Sequence, residues 1–251
     1  MPVSKTEIFD AQDAVFRKMP KFAIEEFSPD MTISFNSFIP DEHGKFLFDW
    51  FQIPHLSILV DPALYYMDMA ASPYSLLSVV DQFDIEALKG FGHDRVFFLP
   101  HGVSAHLATS DQYKKKYDVV FIGSCYDYLS LRDYWREHLS PQQTAILETA
   151  AALFLNDNAT PLQSALVEAV SDHGAFPKNM DFLQMFRFLD IYTRGFDRIQ
   201  LVRNLKDVTV HIFGGSCEGD LYPLRGWKEY VSDCPNIHVH DPVNYAESLE
   251  I

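Results

Sequence analysis

The sequence predicts an α/β protein with two parallel-sheet domains, the second incomplete and carrying a helical insertion. Three observations carry this reading. Short apolar runs with the length of buried strands recur along the chain. Helical stretches separate them, and that alternation is the pattern of a parallel sheet with helices packed on its faces. A polar, lysine-bearing connector, Thr109–Lys116, then divides the runs into an earlier and a later group.

Taken in order, Ser4–Lys18 reads as a helix with Ser4 as its N-cap and Ile8, Ala11, Val15 and Phe16 on one face, limited by Pro20. Phe22–Phe27 reads as a further helical turn. Met31–Phe35 has strand composition and ends at Asn36-Ser37. Gly44–Phe51 is a short aromatic helix. His55–Val60 is the second strand, closing on Asp61-Pro62, and Leu76–Val80 the third, closing on Asp81. Asp84 is expected to cap the next helix, with Gly90 and Gly92 as its stop signals. Arg95–Leu99 is the fourth strand. Three of these strand ends carry Asn36, Asp61 and Asp81 at the carboxyl edge, where open α/β sheets bind ligands.

The second group opens with Asp118–Gly123. Helices follow at Leu129–His138, at Pro141–Leu155 with Pro at the first helical position, and at Pro161–Val170 with Thr160 as the expected cap. Asn179–Leu205 is one long helix or two, with Gly195 as the point of a break. Val208–Phe213 is a strand ending in Gly214-Gly215, Gly226–Val231 a short helix, Ile237–His240 a strand, and Tyr245–Glu250 the start of a helix. The expected domains are 1–108 and 109–251, with the insertion at 129–206. A three-stranded sheet followed by the start of a helix leaves an edge and a face bare, so a longer chain or a partner is expected to complete it, and self-association through the open edge fits the same feature.

Composition narrows the function. Apolar residues make up 47% and charged residues 22%, an ordinary globular balance. A net charge of −15 argues against nucleic acid as the main partner, yet leaves room for a small anion held locally. Cys125, Cys217 and Cys234 form no CxxC pair and are too few for a disulfide framework, which points to reduced thiols in the cytoplasm. No run of 18 apolar residues occurs, so no membrane span is expected.

Several stretches together resemble the spore-maturation, spore-coat-glycosylation family of glycosyltransferase-like proteins: SPDMTISFN, IPHLSILVDPALY, FLPHGVS, YDVVFIGS and YTRGFDRIQLVRNLKDVTVHIFGG, in that order. The resemblance implies two Rossmann-like domains in the GT-B arrangement. It implies a nucleotide-sugar donor as substrate, no separate cofactor, and an acceptor the sequence does not name. It also places the donor in the cleft between the domains, beside the Gly123-Ser124 and Gly214-Gly215 loops. The family's first strand with its glycine-rich turn is not evident here. The acidic donor-binding segment would fall after Ile251, so this stretch by itself is expected to be inactive. The rival reading is a non-catalytic binding or scaffold module.

The residues themselves leave alternatives open. Gly123 and Ser124 end a buried strand, where a glycine lets a diphosphate approach backbone N–H groups, with Arg132 to add charge; a plain turn is the other reading. Gly214 and Gly215 would lie beside them if the two strands are neighbours. Asp61 is a candidate catalytic base or the cap of the following turn. His101, in Pro-His-Gly, is a candidate base or substrate contact, or simply a turn histidine. His238 and His240 face one side of a strand but lack a third ligand at metal spacing, so no metal site is expected.

Overall fold

The computed structural model describes residues 24–36, 40–102, 116–157, 159–174, 177, 181–215 and 225–243. The expected Ser4–Lys18 and Tyr245–Glu250 helices, and Cys217, lie outside these residues. The chain forms two compact units that divide between Gly102 and Val103, where the sequence reading put the boundary at 108.

In the first unit, residues 24–27 are helical and β1 follows at Thr32–Phe35. Next come α1 (Leu47–Phe51), β2 (His55–Ile58), a 3-10 turn (Ala63–Tyr66), α2 (Met67–Ala70), β3 (Ser75–Val79), α3 (Gln82–Gly90) and β4 (Val96–Phe98). The strands pair in the order β1-β2-β3-β4, all parallel, with Thr32 opposite His55, His55 opposite Ser75 and Leu77 opposite Val96. Strand order that advances in one direction sends right-handed crossovers to one face of the sheet. Phe46, Phe48, Met69 and Leu88 accordingly pack with Leu59, Leu77 and Val79 in one core. On the alternate positions Ile33, Phe35 and Phe97 are exposed.

That core has a polar seam. His55 is fully buried and stacks on Phe48 at 4.3 Å. Its Nδ1 lies 2.8 Å from the Thr32 hydroxyl and its Nε2 3.0 Å from the Ser34 hydroxyl. A neutral imidazole offers one donor and one acceptor, and two hydroxyls match both. Burial pushes the His55 pKa down to about 4, so the ring stays neutral.

In the second unit β5 (Val119–Ile122), β6 (Val210–Phe213) and β7 (Ile237–His240) form a parallel sheet in that order. The expected insertion separates β5 from β6 as α4 (Tyr128–His138), α5 (Pro141–Asn156), α6 (Leu162–Asp172) and α7 (Phe182–Asn204). A short helix, α8 (Trp227–Tyr230), joins β6 to β7. Val210, Ile212 and Ile237 on one sheet face pack with Ile199 and Val202 of α7 and with Trp227 and Tyr230 of α8. The insertion is a helical layer in which α5 packs on α6 and α7, and α4 on α7. Leu131, Trp135, Ile146, Leu147, Leu166 and Leu189 are among its fully buried residues.

Local chemistry explains the helix ends, and two expected caps are corrected. Ser140 caps α5 reciprocally with Gln143, and Pro141 stands at the first helical position. Asp181 accepts from Leu183 N and Gln184 N to start α7. Asp81, not Asp84, caps α3 by accepting from Phe83 N at 2.9 Å. Thr160 does not cap α6; its hydroxyl donates to Asp157 at 2.6 Å, and Pro161 precedes the helix without a side-chain bond.

Gly195 does not break α7, which runs as one helix. The glycine is there because the Tyr126 carbonyl crosses at that point: a Cβ on Gly195 would lie 2.6 Å from its oxygen. Gly195→Ala is expected to destabilise the protein by about 1–3 kcal/mol through overpacking. A urea unfolding curve checks this; an unchanged midpoint would mean that α7 and the Tyr126 backbone are not in contact.

Candidate functional site

At the carboxyl edge of the first sheet, Asn36 ends β1 in the left-handed region with φ 54°. Asn and Asp tolerate that region because a short polar side chain can bond locally. Here the Asn36 amide donates to Asp61 Oδ2 at 3.0 Å while its Oδ1 accepts from Val60 N at 3.0 Å. The Tyr66 hydroxyl donates to the same Asp61 oxygen at 3.2 Å. Asp61 is therefore fixed by side chains from β1's end and the 3-10 turn. It does not cap that turn, whose Ala63 N–H goes to Asp84 Oδ2 at 3.2 Å. His101 is exposed near the end of the unit and makes no hydrogen bond among the described residues, so the two catalytic candidates are not joined by one.

Asp84 was not a site candidate in the sequence, yet its carboxyl is only 8% exposed. Burial pushes its pKa up to about 6; the Ala63 N–H pulls the other way and the neighbouring Asp81 charge adds to the rise. Between the ordinary value of 3.8 and about 6, the folded protein holds a proton that the unfolded chain has lost. Stability therefore falls as pH rises through that window, by an amount on the order of 3 kcal/mol. Asp84→Asn keeps an acceptor for Ala63 N without the charge. Urea midpoints at pH 4 and pH 7.5 are expected to show the variant gaining on the parent as pH rises; parallel pH profiles would refute the assignment.

At the carboxyl edge of the second sheet the two glycine corners meet. Gly123 N donates to Phe213 O at 3.1 Å and Cys125 N to Gly215 O at 2.8 Å, which prolongs the β5–β6 pairing past the strand ends. The approach is so close that a Cβ on Gly214 would lie 2.0 Å from Gly123 O. The same Gly123 carbonyl accepts from Trp227 Nε1 at 3.0 Å. Ser124 O accepts from Arg198 of α7 at 3.0 Å, and that guanidinium lies over the Tyr126 ring.

Arg132, the cation expected at this corner, is directed elsewhere. It lies 3.5 Å from Glu148 of α5, which Arg136 also binds at 2.6 Å. Position on α4 decides this: four residues past the helix start, Arg132 faces α5 across the helical layer. Arg198 supplies the charge at the corner. In the sequence it was one arginine among several on a long helix, and only the packing of α7 on the β5–α4 turn distinguishes it.

Just past that turn, Asp127 caps α4 and is 1% exposed. It accepts from Ser130 N at 3.0 Å, from the Tyr230 hydroxyl at 2.5 Å and from Arg225 N at 2.6 Å. Burial would raise the Asp127 carboxyl, but the donors more than offset this and hold it below the ordinary value. Burial and the Asp127 charge push the Tyr230 phenol well up, so it remains a donor. The signal in the sequence was an Asp immediately before a helical run. Tyr230→Phe leaves this buried carboxylate short of one donor. The expected loss is about 1–3 kcal/mol in a urea unfolding experiment, and a neutral result would show the hydroxyl to be dispensable.

Two cavities flank α8. One, of about 200 Å³, is lined by Gly214, Gly215, Gly226, Lys228, His240 and Asp241, among others, at the ends of β6 and β7. The other, of about 490 Å³, is lined by Tyr128, Leu129, Gln200, Arg203, Arg225 and Asp233, among others. In the larger cavity Arg203 is already committed to Asp233 through paired bonds of 2.6 and 2.7 Å. The smaller one occupies the carboxyl ends of parallel strands, the position at which α/β sheets bind ligands. It is the candidate site, and it contains the predicted Gly214 and Gly215 with Gly123 directly behind them. Among the described residues no group of three or more His, Cys, Asp or Glu side chains is placed to hold a metal ion, and no helix is long and apolar enough to cross a membrane.

The fold and this edge define a parallel α/β protein of two units. Comparison of the chain with protein-family models, with curated proteins and with solved structures returned no match.

Proposed function

We propose that the chain is a glycosyltransferase-like protein whose second unit binds the diphosphate of a nucleotide-sugar at the ends of β6 and β7. The observation that carries this reading is the junction of the two glycine corners beside a cavity at the carboxyl edge of a parallel sheet. Backbone without side chains lets a diphosphate come close, and Lys228 lines the same cavity. A volume of about 200 Å³ suits the diphosphate or a sugar ring better than a whole nucleotide-sugar. In a transfer reaction such contacts stabilise the charge that develops on the leaving diphosphate.

One observation favours the second reading, a binding module without transfer chemistry. The N–H groups of Gly123 and Cys125 already donate to Phe213 and Gly215, so they do not turn toward a leaving group.

Titration calorimetry with nucleoside diphosphates and their sugar conjugates tests the first point. At least one is expected to bind, and Gly215→Leu is expected to weaken it tenfold or more by filling the cavity. A Cβ there meets only Pro242 at 3.4 Å, so the fold is expected to tolerate the change. If no nucleotide binds, or the variant binds equally well, the site assignment fails. Binding without release of free diphosphate in the presence of candidate acceptors supports the module reading.

A further inference from the structure

His211 of β6 and His240 of β7 are brought together by sheet register alone. His211 stands opposite His238 and Phe213 opposite His240, so these four side chains share one face of the sheet, opposite to Val210, Ile212, Ile237 and Val239. The diagonal pair is bonded directly: His211 Nδ1 lies 2.8 Å from His240 Nε2. The cluster is held by ring packing, with Tyr117 against His211 at 4.2 Å and Phe213 stacked on His240 at 4.4 Å. His240 also lines the strand-edge cavity, together with Gly214, Gly215 and Lys228.

We infer that His240, positioned by His211, is a proton-gated anion contact of that cavity: a phosphate or diphosphate group binds there with uptake of one proton onto the imidazole pair. The inference rests on the cavity being the ligand site proposed above. An N···N contact of this length needs one N–H between the rings. A single added proton is compatible with it, because the charged ring donates to the neutral one. A second proton would set N–H against N–H, so the pair takes up one proton and resists the next. The bond to His211 uses Nε2, which leaves Nδ1 of His240 as the nitrogen for a ligand oxygen.

The charges around the pair explain why the anion and the proton enter together. Lys228 in the cavity lining is outweighed by Glu229 and Asp241. Without the extra proton the lining is therefore net negative and repels an anion. Around His211, burial and then His240 and His238 lower its pKa, while Asp118 acts in the opposite direction. An arriving anion beside the pair raises its proton affinity. By linkage, affinity for the anion increases as pH falls toward 6.

Calorimetry with inorganic pyrophosphate and with uridine diphosphate, at pH 7 in buffers of different ionisation enthalpy, counts the protons taken up. The expected count approaches one per site, with affinity well over tenfold higher at pH 6 than at pH 8. His240→Asn and His211→Asn are expected to abolish the uptake and flatten the pH profile, whereas His238→Asn leaves both. NMR titration of the histidine rings supplies a readout that needs no ligand: the His240 titration is expected to shift in His211→Asn. Binding without proton uptake, or a His240 titration indifferent to His211, overturns this inference and leaves the cavity assignment standing. Failure of both probes to bind overturns the cavity assignment and this inference with it.

Discussion

The second unit depends on two backbones passing within van der Waals contact, Gly214 against the Gly123 carbonyl. No side chain fits in that gap, since even a methyl group would stand 2.0 Å from the oxygen. Because the gap closes, the β5–β6 pairing continues one step past the strands, through Gly123 N to Phe213 O and Cys125 N to Gly215 O. Because the Gly123 carbonyl is thereby fixed, Trp227 can donate to it and anchor α8 over the sheet. Ligand access and sheet closure are thus two consequences of the same missing side chains.

The helical insertion is tied to this edge at two points. Asp127 draws Ser130, Tyr230 and the Arg225 backbone onto one buried carboxylate, which joins the start of α4 to both ends of the short α8 region. Gly195 lets α7 lie directly against the Tyr126 carbonyl, and Arg198, one turn further along, reaches Ser124 O. A buried carboxylate with several donors is costly to leave half satisfied, so these contacts reinforce one another. The insertion therefore shapes the candidate edge.

The first unit solves a different problem. Its inner sheet face carries His55, Ser57 and Ser75, all buried, where a parallel sheet usually carries branched apolar residues. The cost is contained because each polar group has a partner within the layer: Thr32 and Ser34 for His55, the Asn36 carbonyl for Ser57, and the Met69 and Ser72 carbonyls for Ser75. Such bonds are directional where apolar packing is not, so they fix the register of the edge strand β1 on β2. Its outer face, with Ile33 and Phe35 exposed, would not fix that register alone.

Much of this architecture was legible in the chain. Each strand announced itself as a short, largely apolar run closed by a turn signal, Pro100 after β4 and Gly, Asn or Asp after the others, because a buried parallel strand is mostly apolar and must stop at a turn. The insertion was legible for a similar reason: Ser140-Pro141 and Asp181 start helices by chemistry confined to one turn. Local sequence is a poorer guide where two segments compete for one role, as Asp81 and Asp84 do at α3, or Thr160 and Pro161 at α6. What the tertiary structure alone decided are the encounters between distant residues. Arg198 rather than Arg132 reaches the glycine corner because α7 packs on the β5–α4 turn while Arg132 faces Glu148. His211 finds His240, separated by 29 residues, only because β6 and β7 pair in one register. Residue type and spacing specify what each element is. Which face meets which neighbour follows from the packing of the whole unit, and in this protein the candidate chemistry arises at those meetings.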